Sequence, residues 1–206
     1  MMKALQQLTE KVLSGEPITK VEAMCLYQQP LDELCKSADA IRRHFCGNRF
    51  DICTIINGKS GRCSENCRFC AQSAHNHTGA AQYPLLPEEE IIAQAKRNQE
   101  RGVLRYSIVT SGKRLSDGEV EQMCWVVQEI KRTVGISVCV SFGLLDKRQF
   151  RKLKEAGVTR VHNNLETSRR NFPHICTTHT FDDKVQAIHA AQAAGLSVCS
   201  GGIMGL

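Results

Sequence analysis

The run Cys63-Ser64-Glu65-Asn66-Cys67-Arg68-Phe69-Cys70 spaces three thiols as CxxxCxxC, with no fourth cysteine at a matching interval. Three thiolates this close can hold three irons of a cubane cluster and leave the fourth iron without a side-chain ligand. A cluster that only carries electrons normally has every iron capped, so an open iron is a place where a small molecule binds and reacts. The plainer alternative is zinc, which takes four protein ligands in structural sites, or three and a water in catalytic ones. His75 and His77 are near enough in sequence to complete such a set.

Outward from the triplet, short apolar runs alternate with helical patterns. Residues 52–56 are strand-like and reach the cysteine loop through Gly58 and Gly61. Pro87 and the acids Glu88, Glu89 and Glu90 open a helix to about residue 101, with the acids at its positive end. Strands over 105–110, 136–142, 158–165 and 196–200 alternate with helices over 117–133, 146–156 and 182–194, and Gly157 and Gly195 follow the last two helices as C-terminal caps. Repeated strand–helix steps imply an α/β fold with a parallel sheet or a TIM-type (β/α) barrel. Five steps are too few to close a barrel, so the chain is expected to be truncated at its C-terminal side, at roughly two thirds of the whole.

Residues 1–47 read as a helical cap, leaving 48–206 as the barrel part. Leu5, Leu8 and Val12 recur at helical spacing, Thr19 and Glu22 fit a capping box, and Pro30 precedes a third segment carrying Leu31, Leu34, Ala38, Ile41 and Phe45. These helices are expected to close the bottom of the fold, with Cys25, Cys35 and Cys46 buried as small apolar side chains.

Composition narrows the function. A chain of 206 residues with 42% hydrophobic content suits an ordinary globular domain. Its net charge of +6 is dispersed, with only short doublets such as Arg42-Arg43 and Arg169-Arg170, which argues against a nucleic-acid groove. No apolar run approaches the roughly 18 residues that cross a bilayer, and no export signal is visible, so neither a membrane nor a secreted context is expected. Eleven cysteines in such a chain suggest reduced cytoplasmic thiols and metal binding rather than disulfides.

In parallel α/β folds ligands bind at the carboxyl ends of the strands. The second strand ends in Thr110-Ser111-Gly112, a small polar turn able to offer groups to a carboxylate or amine. His162, Asn164 and Glu166 share one face by the period of two, and an amide two residues from a carboxylate suits the two hydroxyls of a ribose. Gly201, Gly202 and Gly205 after the fifth strand let a flat ring lie against the backbone.

The triplet, with Phe69 before its third cysteine, resembles the signature of radical S-adenosylmethionine (SAM) enzymes. The stretches NGKSGRCSENCRFCAQ (57–72), HNNLETS (162–168), CTTHT (176–180) and VCSGGIMGL (198–206) are together similar to the biotin synthases of that superfamily. The resemblance implies a SAM barrel in which Cys63, Cys67 and Cys70 hold a [4Fe–4S] cluster whose open iron binds SAM. Reduction would then release a 5′-deoxyadenosyl radical. It also implies that Asn164 and Glu166 hold the ribose, Glu166 standing where the family usually has Asp. Gly201, Ile203 and Gly205 would contact adenine. Phe69, Thr110 and Ser111 fall at the cofactor, as does His179, which stands where some members have an Arg facing the SAM carboxylate. His162 stands where members often have Asn. No side chain is assigned a catalytic role of its own.

Members of that family keep an auxiliary iron–sulfur cluster deep in the barrel as the sulfur source. Cys139 and Cys199 match its third- and fifth-strand cysteines, but Ser107 stands at the second-strand position, and a neutral hydroxyl replaces a soft thiolate poorly. Three readings stay open: a cluster of another type with a ligand from beyond residue 206, recruitment of Cys176 or Cys53, or no inner cluster at all. The implied partners are dethiobiotin and an electron donor such as flavodoxin or ferredoxin; homodimers are common in the family, and the oligomeric state stays open. The alternatives are a hydrogenase-maturation or methylornithine-synthase type of enzyme, which does not need Cys139 and Cys199, and a non-enzymatic iron–sulfur carrier.

Overall fold

A computed structural model describes residues 2–206; Met1, which the expected cap includes, lies outside the described residues. Three helices come first: α1 (Met2–Leu13), α2 (Lys20–Leu26) and α3 (Leu31–Cys46). Thr19 and Glu22 cap α2 reciprocally, and Glu22 also takes the Lys11 ammonium of α1 at 2.8 Å. These helices form a compact unit that ends at Phe50. Its expected burial of cysteines is corrected: Cys25, Cys35 and Cys46 are all exposed. Among the described side chains of this unit only Leu5 is buried, because three short helices offer too little opposing surface to cover one another's apolar positions.

The second unit, Asp51–Leu206, carries the sheet. Strands β1 (Cys53–Lys59), β2 (Arg105–Thr110), β3 (Ser137–Ser141), β4 (Arg160–His162) and β5 (Ser197–Cys199) lie side by side in chain order, all parallel. Helices α4 (Glu88–Glu100), α5 (Asp117–Thr133), α6 (Lys147–Ala156), α7 (Phe172–Ile175) and α8 (Phe181–Ala193) make the connections. Ser116, Asp146 and Thr180 close capping boxes on α5, α6 and α8, and Gly157 ends α6 at a φ of +113°. The strand expected over 158–165 shortens to β4, and the single turn of α7 has no counterpart in the sequence reading. Among the described residues no helix is long and apolar enough to cross a membrane.

Parallel register sorts the strand residues into two faces. Ile56, Ile108, Val140, Val161 and Val198 form one row, and with Tyr106 and Val138 they pack against Ile91, Met123, Ile130 and Leu153 of the covering helices. This is the core. On the opposite face Ile55, Ser107, Cys139, Arg160 and Ser197 form a second row. One step toward the strand tips, the same face carries Asn57, Val109 and Ser141 on β1–β3, and His162 beside Cys199 on β4 and β5.

Candidate functional site

The segment between β1 and α4 forms the cysteine loop at the carboxyl ends of the strands, and hydrogen bonds from outside the triplet hold its shape. Cys63 donates its N–H to Gln72 O at 3.0 Å and accepts from Ala74 N at 2.8 Å. The Asn76 amide donates to Cys67 O at 3.0 Å and to Cys70 O at 2.9 Å. A second loop, after α7, is stitched to it. Arg68 N donates to Ile175 O, and the Asn66 side chain donates to Thr177 Oγ1 at 2.7 Å and accepts from Thr177 N at 2.9 Å.

These loops and the strand tips enclose a cavity of about 280 Å³, lined by Cys63, Cys67, Phe69, Cys70, Thr110, Ser111, Asn164, Glu166 and His179 together with Glu65, Asn163, Cys176 and Lys184. Nine of the sequence-derived candidates therefore converge. Gly201 and Ile203 line an adjoining groove that shares Glu166 with the cavity. Gly205 lies beyond, beside Ile203 and Asn171. His75 and His77 are exposed and do not line the cavity.

Glu166 sits at φ +67°, an uncommon backbone conformation for a residue with a side chain. Gly201 O accepts from Leu165 N at 2.9 Å and Glu166 N at 3.1 Å, while Glu166 O accepts from Ile203 N at 2.7 Å. This clamp needs Gly202, because a Cβ there would meet Glu166 O at 2.8 Å. Asn164 Oδ1 lies against Gly201, 3.6 Å from where a Cβ would stand. Ser111, by contrast, has both donors committed: its N–H to Lys59 O at 2.9 Å and its hydroxyl to Gly61 O at 2.8 Å.

Three of these lining residues, Glu65, Asn163 and Lys184, were not anticipated. Asn163 was passed over because the period of two selects its neighbours, yet it is buried, accepts from Lys184 Nζ at 3.3 Å, and its Nδ2 has no partner. A buried amide donor facing a cavity is a group left for a ligand. Glu65 and His179 meet with Oε2 2.5 Å from Nδ1, their side chains 7% and 4% exposed. Burial opposes the charge on Glu65, but hydrogen bonds from His179 and Thr178 outweigh it and hold the carboxyl below its usual range. Burial also dominates at His179 and lowers its pKa. The pair is therefore a carboxylate accepting from a neutral imidazole. Cys176, one of the two cysteines weighed for recruitment, is buried beside Cys67. Burial and that neighbouring thiol push Cys67 up to about 12.

Cys139 is buried and Cys199 exposed, on the same face but one row apart. Burial raises the Cys139 pKa, against the opposing pull of the Ser107 hydroxyl and of Arg160. Cys53 is at the start of β1, exposed, one row further from the tips than Ser107.

A sequence-family profile described as the radical SAM superfamily matches residues 59–206. A biotin synthase of Akkermansia muciniphila is 58% identical over 205 residues, covering 100% of this chain and 64% of that protein. A biotin synthase of Brachyspira hyodysenteriae is 52% identical, covering 98% of this chain and 61% of that protein. The chain thus spans less than two thirds of the length of these curated relatives. Among solved structures, a methylornithine synthase matches with a TM-score of 0.78 over 96% of this chain and 59% of its own, at 24% identity. A maturase of the [FeFe]-hydrogenase matches with a TM-score of 0.82 over 100% of this chain and 47% of its own, also at 24% identity. At that identity the likeness shows a shared fold.

Proposed function

The chain belongs to the radical SAM superfamily, and from that membership we propose that it acts as a biotin synthase, inserting sulfur into dethiobiotin. What supports the reading is the convergence, on one cavity at the strand tips, of three thiols with an amide and a carboxylate spaced for a ribose. The donor set fits the implied cofactors. Cys63, Cys67 and Cys70 offer soft sulfur to three irons of a [4Fe–4S] cluster. Asn164 and Glu166 are set for the ribose of SAM, and the unpartnered Asn163 Nδ2 is a donor for a further polar atom of the nucleoside or substrate. Gly201, Ile203 and Gly205 form the wall for adenine, and Phe69 shields the cluster side.

Bound together, such a cluster and SAM supply an organic radical able to take hydrogen from unactivated carbon. The protein's own residues position and enclose: the Glu166–Gly202 clamp fixes the ribose-binding carboxylate, and the Glu65–His179 pair anchors the loop of the triplet to the loop after α7. Cys139 and Cys199, facing away from the helices, are the donors for an auxiliary iron–sulfur cluster, the sulfur source. That pair favours sulfur insertion over the hydrogenase-maturation and methylornithine-synthase readings. An electron donor such as flavodoxin or ferredoxin and a second copy of the chain complete the proposal.

Anaerobically loaded protein given SAM, reductant and dethiobiotin is expected to yield biotin. Formation of 5′-deoxyadenosine with no sulfur-containing product would overturn the substrate while leaving the radical chemistry intact. Loaded protein carrying only about four irons per chain would remove the auxiliary cluster.

A further inference from the structure

We propose that the groove around Arg62, Lys113 and Arg114 is the docking surface for an acidic protein that carries one electron to the cluster of the triplet. The proposal rests on the reading put forward above and gives its electron donor a surface and a sign of charge.

The groove adjoins the cavity of the triplet, and Lys59, Ser111, Gly112 and Lys113 line both. Cys63 stands in the wall between them. It is the one buried thiol of the three, while its chain neighbours Arg62 and Ser64 are exposed and line the groove. A single residue thus separates a partner seated in the groove from a thiol of the triplet. The wall is also fixed before any partner arrives. The Ser111 hydroxyl donates to Gly61 O at 2.8 Å, Ser60 and Tyr83 exchange N–H···O bonds of 3.1 and 3.0 Å, and the Tyr83 hydroxyl donates to Asn57 O at 2.9 Å. A surface already ordered loses little freedom on association.

Charge names the partner. No carboxylate lines the groove. Glu119 offsets Lys59 at 2.7 Å, but Arg62, Lys113 and Arg114 are exposed and form no ion pair among the described residues. Arg62 donates to the Gln82 side-chain carbonyl and Lys113 to Thr178 O, each at 3.0 Å, and both acceptors are neutral. Asp146 and Asp183 line a second groove with Lys113 and Arg114, where they are engaged as caps of α6 and α8. Three cations without a counter-charge attract an anionic surface and steer its approach. They form a compact patch with Tyr83 and Pro84, not the long basic track that a polynucleotide backbone follows. In the docked complex one electron leaves the carrier, which is oxidised, and reduces the cluster; no bond forms or breaks.

The test is stopped-flow reduction of the cluster in the anaerobically loaded full chain by reduced flavodoxin, an acidic flavoprotein, at increasing ionic strength. The association rate constant is expected to fall steeply with salt. R62E/R114E should lower it by at least about tenfold at low salt and flatten its salt dependence. K96E/R151E makes the same change in net charge at exposed positions outside the groove and is expected to leave the rate nearly unchanged. Equal slowing by the two double variants would overturn the proposal. So would a salt-independent rate in the unmodified chain, a measurement that needs no variant. Duplex DNA bound more tightly than flavodoxin, and released by R62E/R114E, would overturn it by assigning the patch to a polynucleotide. Photoexcited deazaflavin, a small reductant that needs no docking surface, should reduce every variant equally. A cluster that accepts no electron even from deazaflavin would defeat the radical reading itself, whereas ordinary deazaflavin reduction with no effect of charge reversal defeats the docking surface alone.

Discussion

Single residues decide how the triplet's surroundings behave. Glu119 shows how a residue outside the cavity braces its rim: it closes the capping box on α5 and takes the Lys59 ammonium at 2.7 Å, at the end of β1 where the cysteine loop begins. Burial disfavours its charge, but the bonds from Lys59 and Ser116 prevail and lower its pKa. Its contribution is thus fully present above the unfolded value near 4.5 and is lost as pH falls through the lower folded value. Glu119→Gln should reduce stability by up to about 1 kcal/mol at neutral pH. Denaturant midpoints measured across pH should show the deficit shrinking below 4.5; a deficit independent of pH would refute the account. Other residues were less legible. Asn163 carries no sign in the sequence that its amide donor stays unpartnered, because that depends on what the fold leaves opposite it. The joining of Glu65 to His179 spans 114 positions, and no local pattern encodes it.

At the scale of elements, the tips of β4 and β5 act together. The ladder ends at His162 and Cys199, and beyond it the two segments stay joined by hydrogen bonds from Asn163 N to Cys199 O, from Leu165 and Glu166 N to Gly201 O, and from Ile203 N to Glu166 O. Gly202→Ala would push a methyl against Glu166 O and open the clamp. With the cluster loaded, SAM binding measured by equilibrium dialysis should weaken by about tenfold, a loss on the order of 1.4 kcal/mol. An unchanged affinity would separate this clamp from ribose binding. Periodicity and caps made most elements readable: Ser116, Asp146 and Thr180 each begin a helix where side-chain chemistry requires one. The contraction of the expected strand 158–165 to Arg160–His162 was not readable, since Glu166 leaves the strand conformation to meet a segment more than thirty positions away.

For the molecule as a whole, the location of the core predicts where truncation hurts. Ile130→Ala or Leu153→Ala, both completely buried against the sheet, should cost about 2–5 kcal/mol in urea unfolding. Leu31→Ala on the exposed face of α3 should stay within about 0.5 kcal/mol. Equal losses at the two positions would contradict the burial described. Alternating apolar runs and helical periods, together with the spacing of three thiols, were enough to establish a parallel α/β architecture with a cysteine loop after its first strand, because these signals are local. The fate of the remaining cysteines was a matter for tertiary structure. Cys25, Cys35 and Cys46 stay exposed because no surface within their helical unit covers them, while Cys176 comes to rest beside Cys67 because two distant loops are pinned by hydrogen bonds. Which side chains meet across more than a hundred positions is set by how the strands register and the loops close, and no interval in the sequence carries that information.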